Sequence, residues 1–82
     1  MKSFFYVYIL VSETNAFVHH IGITQHLKER LAMHNRGKCA NAAADRPWRV
    51  ETAIAFSSEA KGRAFEKYLK SGSGREFARR HF

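Results

Sequence analysis

The feature that most constrains this chain is a run of eight apolar residues near its start, Phe4 to Val11. Aromatic and β-branched residues make up most of the run, and such residues favour an extended strand. Both faces of that strand are apolar, which is typical of a strand in the middle of a sheet. A chain of 82 residues can build one domain around such a strand and is too short for two. We therefore expect residues 1–82 to form a single domain.

Turn residues and helix caps divide the rest of the chain into further elements. A turn over residues 12–15 leads to a second strand over residues 17–24, so the first two strands are expected to form a hairpin. A helix is predicted over residues 25–35, capped by Thr24 and ended by Gly37. Residues 36–48 are predicted to form a loop.

The second half of the chain is predicted to hold one strand and two helices. The strand covers residues 48–56, and Ser57-Ser58 caps a helix over residues 59–70. A capping box at Ser73 then begins a short last helix. The expected order is ββαβαα: an α+β domain of two layers, in which helices cover a three-stranded antiparallel sheet.

The helices have recognisable apolar sides. Leu27, Leu31 and His34 share one side of the first helix. The predicted apolar side of the second helix consists of Ala60, Ala64, Phe65, Tyr68 and Leu69.

Charge indicates the class of partner. The chain carries 14 Lys and Arg residues against 7 Asp and Glu residues, a formal net charge of +7. An excess of this size attracts polyanions, of which nucleic acid is the commonest. No stretch is long enough to cross a bilayer, and no basic amphipathic helix has a wide apolar face, so no membrane partner is expected. The single cysteine, Cys39, excludes an internal disulfide and suits the cytoplasm.

Basic residues gather in the loop before the third strand and at the start of that strand. We expect four of them to contact phosphates without reading sequence: Arg36, Lys38, Arg46 and Arg49. Trp48, between Pro47 and Arg49, either stacks on a base or serves as a core residue that opens the strand.

Five residues together supply what phosphodiester hydrolysis needs. Tyr8 lies in the buried strand, where a phenol requires a hydrogen-bond partner, and hairpin pairing would bring His20 near it. Arg30 and His34 are four residues apart and share a helix face, and Glu66 lies in the middle of the later helix. These groups offer a base for the water, a cation for the transition state and an oxygen ligand for Mg²⁺.

Each of these residues also has a purely structural interpretation. Tyr8 would be a packing residue, His20 an edge-strand polar residue, and Arg30 the partner of a surface carboxylate. Glu66 has Arg63 and Lys70 at helical spacings of three and four. The five histidines and the cysteine follow no zinc-site spacing, and the chain has no Walker loop, dinucleotide fingerprint or serine elbow.

Taken in order, several segments resemble the GIY-YIG nuclease superfamily. They are Tyr6–Leu10, His20–Thr24, Leu27–Leu31 and the pair His34-Asn35. Residues 66–75 are similar to the carboxyl-terminal half of the same proteins. The resemblance covers nearly the whole chain and is greatest to the small stand-alone bacterial members.

The resemblance implies a metal-dependent endonuclease that uses one Mg²⁺ or Mn²⁺ ion. It implies that Tyr8 is a general base or orients the water, and that Arg30 steadies the scissile phosphate. His34 would transfer a proton or contact the phosphate. Glu66 corresponds to the single carboxylate that holds the metal, which suffices because Mg²⁺ keeps several waters and takes other ligands from the phosphate.

The chain departs from the family pattern at three places. Tyr6 stands where the first motif has glycine, which is a common variation. His20 replaces the tyrosine of the second motif, a catalytic position, and we expect it to assist Tyr8. Many members carry an asparagine after the metal-binding glutamate, where this chain has Ser71, Ser73 and Arg75. The last two departures bear on activity.

The expected function is cleavage of DNA, in preference to RNA, by a cytoplasmic monomer or weak dimer with a role in DNA repair. The alternative is a nucleic-acid-binding module of the same fold that cuts poorly or not at all. A third possibility is a subunit of a larger repair or mobile-element assembly.

Overall fold

The computed structural model describes residues 3–37 and 40–82, with the backbone alone for residues 40–42. The strands are β1 (Phe5–Ser12), β2 (His19–Thr24) and β3 (Trp48–Phe56). The α-helices are α1 (Leu27–Asn35), α2 (Glu59–Leu69) and α3 (Gly72–His81), and a 3-10 helix (Ala40–Asp45) lies in the predicted loop. The sheet is antiparallel in the order β2-β1-β3. The predicted ββαβαα order and the central place of β1 are confirmed.

The helices cover both faces of the sheet. One hydrophobic cluster packs α1 against Tyr8, Leu10 and Trp48. A second cluster packs α2 and α3 against Val7 and Ile9. The layer count therefore differs from the expected two, because the sheet lies between helical layers. The reason is that β1 is apolar on both faces, and each face must be shielded from water.

The ends of α1 differ in how well they were predicted. The helix begins at Leu27, two residues later than expected, and no side chain caps it at His26. Thr24 Oγ1 instead accepts a hydrogen bond from the backbone N–H of His26 at 3.0 Å. The predicted cap is therefore wrong, because Thr24 stabilises the turn before the helix. The predicted stop is confirmed, since Gly37 has a left-handed φ of 75°.

A sharp connection joins α2 to α3. The predicted cap of α2 is confirmed, as Ser58 Oγ accepts from the backbone N–H of Lys61 at 3.3 Å. The capping box predicted at Ser73 is wrong, because Ser71 Oγ accepts from the N–H of Gly74 and α3 begins at Gly72. A Cβ at Gly74 would overlap the carbonyl group of Tyr68. Only glycine allows the two helices to approach so closely.

The buried side of α2 is narrower than predicted. Gly62 and Leu69 are buried and Phe65 is half-buried, whereas Ala60 and Ala64 are exposed. An ideal Cβ at Gly62 would lie 3.0 Å from the Ile23 side chain. The helix therefore approaches the sheet at its glycine, which decides the side that faces inward. Tyr68, also predicted on the apolar side, is 40% exposed.

A bulge explains the imperfect alternation of β3. Leu10 pairs with Val50 and Ile9 pairs with Thr52, which leaves Glu51 as the extra residue. Val50 therefore packs in the cluster on the α1 side, whereas Phe56 packs in the cluster of α2 and α3.

Candidate active site

Hairpin pairing places Tyr8 and His20 on the face of the sheet that α1 covers. Tyr8 pairs with Gly22 and Leu10 pairs with His20, and the rings of Tyr8 and His20 are 6.5 Å apart. A Cβ at Gly22 would overlap Oη and Cζ of Tyr8. The glycine therefore provides the space that the phenol of Tyr8 occupies, and Tyr8 is 1% exposed.

Helix α1 adds Arg30 and His34 to this pair. The His34 ring centroid lies 4.6 Å from that of His20 and 6.4 Å from that of Tyr8. His34 is 1% exposed, whereas Arg30 is half-buried. Arg30 and His34, which were predicted to share a face of the helix, therefore lie beside Tyr8 and His20 of the sheet.

The buried imidazole of His34 has a defined tautomer. Its Nδ1 lies 3.0 Å from the carbonyl oxygen of Arg30. Because a carbonyl only accepts, Nδ1 carries the proton, and in the neutral ring Nε2 is an acceptor. That Nε2 is buried and has no hydrogen-bond partner in the described part of the chain. Such an atom calls for a specific explanation, of which a catalytic role is one.

The electrostatic surroundings of His20 connect three elements. Burial lowers the pKa of His20 from 6.5, and the charges on His34, Lys70 and Arg30 lower that pKa further. Glu66 acts in the opposite direction on the pKa of His20. The half-buried ring of His20 is therefore neutral over a wider pH range than a free imidazole. The groups that act on its pKa come from α1 and from the end of α2.

The surroundings of Glu66 fit both of its expected roles, the partner in an ion pair and the carboxylate of the site. Its side chain is 18% exposed, and Oε2 lies 3.0 Å from Nζ of Lys70. The other expected partner, Arg63, pairs instead with Glu59. Glu66 is thus a helix ion-pair partner and also the carboxylate that acts on His20.

The donor set at this place suits a hard cation with few protein ligands. Within residues 3–37 and 40–82, no group of three or more His, Cys, Asp or Glu residues is arranged to hold a metal. Mg²⁺ is commonly bound by one or two carboxylates together with water and substrate phosphates. A single carboxylate, Glu66, fits that kind of site.

The basic residues predicted to bind phosphate fall in two places. Arg36 follows α1 and is exposed, and the guanidinium of Arg46 lies over Gly37, so these two lie at the same end of α1. Arg49 is exposed and is the strand-pairing partner of Val11. Its side chain therefore lies on the face of the sheet that α1 does not cover. Lys38 lies outside the described residues, as does Cys39.

Trp48 and Asn35 join α1 to β3. Trp48 is 3% exposed, which confirms the core interpretation and leaves little surface for stacking on a base. The Asn35 amide donates to the Trp48 carbonyl at 3.0 Å and accepts from its N–H at 2.5 Å. Sequence reasoning gave Asn35 no role, and its only signal was its place at the end of α1 beside His34.

The model of the GIY-YIG catalytic domain matches residues 4–80. The chain belongs to the GIY-YIG family. No curated protein and no solved structure matches it. GIY-YIG domains are nucleases and are generally dependent on a divalent metal, so membership supports a nucleic-acid hydrolase. In the described part of this GIY-YIG domain, no helix is long and apolar enough to cross a membrane.

Proposed function

We propose that this GIY-YIG domain is an endonuclease that hydrolyses phosphodiester bonds in DNA with one Mg²⁺ or Mn²⁺ ion. The observation that carries the proposal is the meeting of three rings, those of Tyr8, His20 and His34, with Arg30 and Glu66 acting on the same histidine. A base, a cation and a carboxylate at one place are the groups that phosphoryl hydrolysis uses.

The base of the proposed reaction is His20, whereas the sequence led us to expect Tyr8 as the base with His20 assisting it. Tyr8 is almost wholly buried, so a phenolate at this position would be an anion removed from water. His20 is half-buried, and its lowered pKa keeps the ring neutral and able to accept a proton. His20 therefore takes the proton of the attacking water, and Tyr8 packs behind it and fixes the site.

Arg30 and His34 serve the phosphate in this proposal. The half-buried guanidinium of Arg30 neutralises charge as it develops on the phosphate, which is most effective away from bulk water. The unpartnered Nε2 of His34 accepts a hydrogen bond from His20 or from the substrate. That bond holds the second histidine in place during proton transfer.

Glu66 is the residue that would hold the metal. A bound ion would act as a Lewis acid and neutralise charge on the phosphate. Nζ of Lys70 lies 3.0 Å from Oε2 of Glu66 and orients the half-buried carboxylate.

The net charge of +7 supports nucleic acid as the substrate of the proposed reaction. Arg36 and Arg46 would hold the backbone beside α1, and Arg49 would contact phosphates on the other face. Lys38 stays a phosphate contact predicted from the sequence. We propose DNA in preference to RNA as the polymer, a cytoplasmic location, and a monomer or weak dimer as the active species, with repair as the setting.

Cleavage by two variants tests the proposal. Glu66→Gln keeps the shape of the side chain and weakens the metal site, and Arg30→Ala removes the cation. Each should lower turnover roughly a hundredfold or more while DNA binding is kept. Supercoiled, branched and single-stranded DNA are the substrates, with Mg²⁺, Mn²⁺ or a chelator.

Glu59→Gln is the matched control, because Glu59 lies on the same helix, is exposed and pairs with Arg63. This control should cut at the parental rate. A Glu66→Gln variant that cuts as fast as the parent would show that the carboxylate is only an ion-pair partner.

A binding module that does not cut is the second candidate function. Two observations favour this binding function: His20 replaces the tyrosine of the motif, and Glu66 is paired with Lys70. Parental protein that binds DNA but cuts none of the substrates in either metal would establish this second function.

A further inference from the structure

A groove of about 680 Å³ lies on the face of the sheet opposite α1, between the sheet and the helices α2 and α3. Its floor is apolar and includes Ile9, Ile21 and Leu69. His20 also lines it, so the groove reaches the candidate active site from the other side of β2. Apart from His20 and Lys70, the residues that line the groove have no part in the reaction proposed above.

Most of the charged residues that line the groove are positive. Lys70, Arg75 and Arg79 line it, and Glu51 is the one carboxylate among the described lining residues. Glu51 pairs with a neighbouring histidine, and Arg79 is bonded to Glu76. In the described part of the chain Arg75 has no ion pair, so its charge is uncompensated. An anion is the complementary ligand.

One wall of the groove presents an aromatic ring to solvent. Phe17 is 94% exposed, which is extreme for a large apolar side chain in a small domain. The turn that carries it is well bonded: the Phe17 N–H donates to Asn15 Oδ1, and the Val18 N–H donates to the Asn15 carbonyl. Ser12 Oγ accepts from the N–H groups of Thr14 and Asn15. The ring is therefore held out on an ordered turn.

Cations beside an exposed aromatic ring are the combination that binds single-stranded nucleic acid, because bases stack on the ring and phosphates meet the cations. Bases in a duplex are already stacked on each other, so their faces are not available to Phe17. An unpaired strand is thus favoured over a duplex at this place.

We propose that this groove binds a single-stranded segment of the substrate beside the bond that is cut. A base stacks on Phe17, and a phosphate contacts Arg75. The inference rests on the proposed nuclease function and narrows its substrate class to nucleic acid with an unpaired strand next to the cleavage site.

Binding in the presence of chelator tests the groove separately from cleavage. Fluorescence anisotropy compares a blunt duplex with the same duplex that carries a single-stranded tail of about six nucleotides, a length within the range one small domain covers. The parent should bind the tailed DNA about tenfold more tightly. Phe17→Ala and Arg75→Ala should each lose most of that preference without changing binding to the blunt duplex.

Two matched controls accompany these variants. Phe4→Ala removes another exposed aromatic ring, and Arg63→Ala removes another exposed cation, but neither residue lines the groove. Both controls should keep the preference for tailed DNA. Phe17→Trp should also keep it, and its fluorescence should be quenched by the single strand, because stacking on a base quenches indole.

Equal affinity of the parent for tailed and blunt DNA would overturn the proposal, as would a Phe17→Ala variant with an unchanged preference. A second copy of the chain could also cover the exposed Phe17 ring. The molecular mass of the same proteins, measured by sedimentation, tests that alternative. A mass that falls to the monomer only in Phe17→Ala would assign the groove to self-association. A tail preference in parental protein that never cuts would leave the groove in place and refute the nuclease function alone.

Discussion

At the scale of single residues, the site depends on contacts that only a glycine or a histidine can make. Gly22 leaves room for the phenol of Tyr8, which no side chain at that position would allow. The ring centroids of His20 and His34 lie 4.6 Å apart, so two imidazoles meet where the usual motif has a tyrosine. Gly22 and His20 both lie in the second motif, so that motif shapes the space around Tyr8.

Gly22→Ala should displace Tyr8 and destabilise the fold. Tyr8 is buried, so its rigid ring has little room to move, and overpacking of this kind costs about 1–3 kcal/mol. Urea denaturation measures the loss. Gly72→Ala is the control, because a Cβ at Gly72 meets nothing within 4 Å, and it should leave stability unchanged or slightly raised. Equal stability of the two variants would contradict the assigned role of Gly22.

The pH dependence of cleavage should follow His20. The ring must be neutral to accept a proton, so the rate should rise with pH through the pKa of His20. Burial and neighbouring cations lower that pKa from 6.5, so the rise should lie below that value and be nearly complete by neutral pH. His20→Ala should abolish the rise and lower the rate roughly a hundredfold.

His20→Tyr restores the usual motif and sharpens the same test. It should keep activity but move the pH dependence upward, because a phenol titrates near pH ~10. A tyrosine variant that is faster than the parent at every pH would mean that His20 is a tolerated replacement on a weakened site. Rate against pH for the three proteins separates these outcomes.

At the scale of elements, the site depends on how α1 is fixed to β3. Asn35 makes two hydrogen bonds to the backbone of Trp48, which is the first residue of β3. The helix residues that face Tyr8 lie within two turns of that connection. The position of Arg30 and His34 relative to the sheet is therefore set at the end of α1.

Asn35→Ala should lower both stability and cleavage. It removes two part-buried hydrogen bonds to the backbone of Trp48, a loss of about 1–3 kcal/mol, and frees the end of α1 to move. Thermal unfolding and turnover are the measurements, and the expected turnover is lower even at temperatures where the variant is folded. Arg63→Ala, which removes one exposed ion pair on α2, should leave both nearly unchanged. Full turnover in the folded Asn35→Ala variant would show that Asn35 does not position α1 for cleavage.

At the scale of the whole molecule, the two faces of the sheet have different tasks. The face that α1 covers holds Tyr8 and His34, two of the residues proposed to form the active site, and Arg36 and Arg46 lie at the end of α1. The other face carries the groove and Arg49. His20 belongs to both, so the edge strand β2 is where the two surfaces meet.

Binding to duplex DNA should weaken steeply with salt and vary little with sequence. Arg46→Ala and Arg49→Ala together should reduce the slope of log affinity against log salt by about one to two units. The control removes the same charge from two arginines that are bonded to carboxylates, Arg63 and Arg80. Its slope should stay near that of the parent. An unchanged slope in the first double variant would exclude these residues from the interface.

Much of the fold was predictable from the sequence because it depends on local pattern. The apolar run of β1 predicts a central strand, Ser58 predicts the start of α2, and Gly37 predicts the end of α1. The family also followed from short ordered motifs, and the match over residues 4–80 confirms it. The roles of the individual site residues remain predictions, although the structure brings Tyr8 and His20 together as hairpin pairing implied.

What the sequence by itself determined is therefore the order of the elements, the central place of β1 and the family. The tertiary structure alone decided how narrow the buried side of α2 is, because Gly62 makes the close approach to the sheet while Ala60 and Ala64 stay exposed. It also decided where α3 begins and how Asn35 joins α1 to β3. The groove beside Phe17 has no sequence signal, because its walls come from segments far apart in the chain. Side chains from distant segments meet only through packing, and no local pattern encodes that packing.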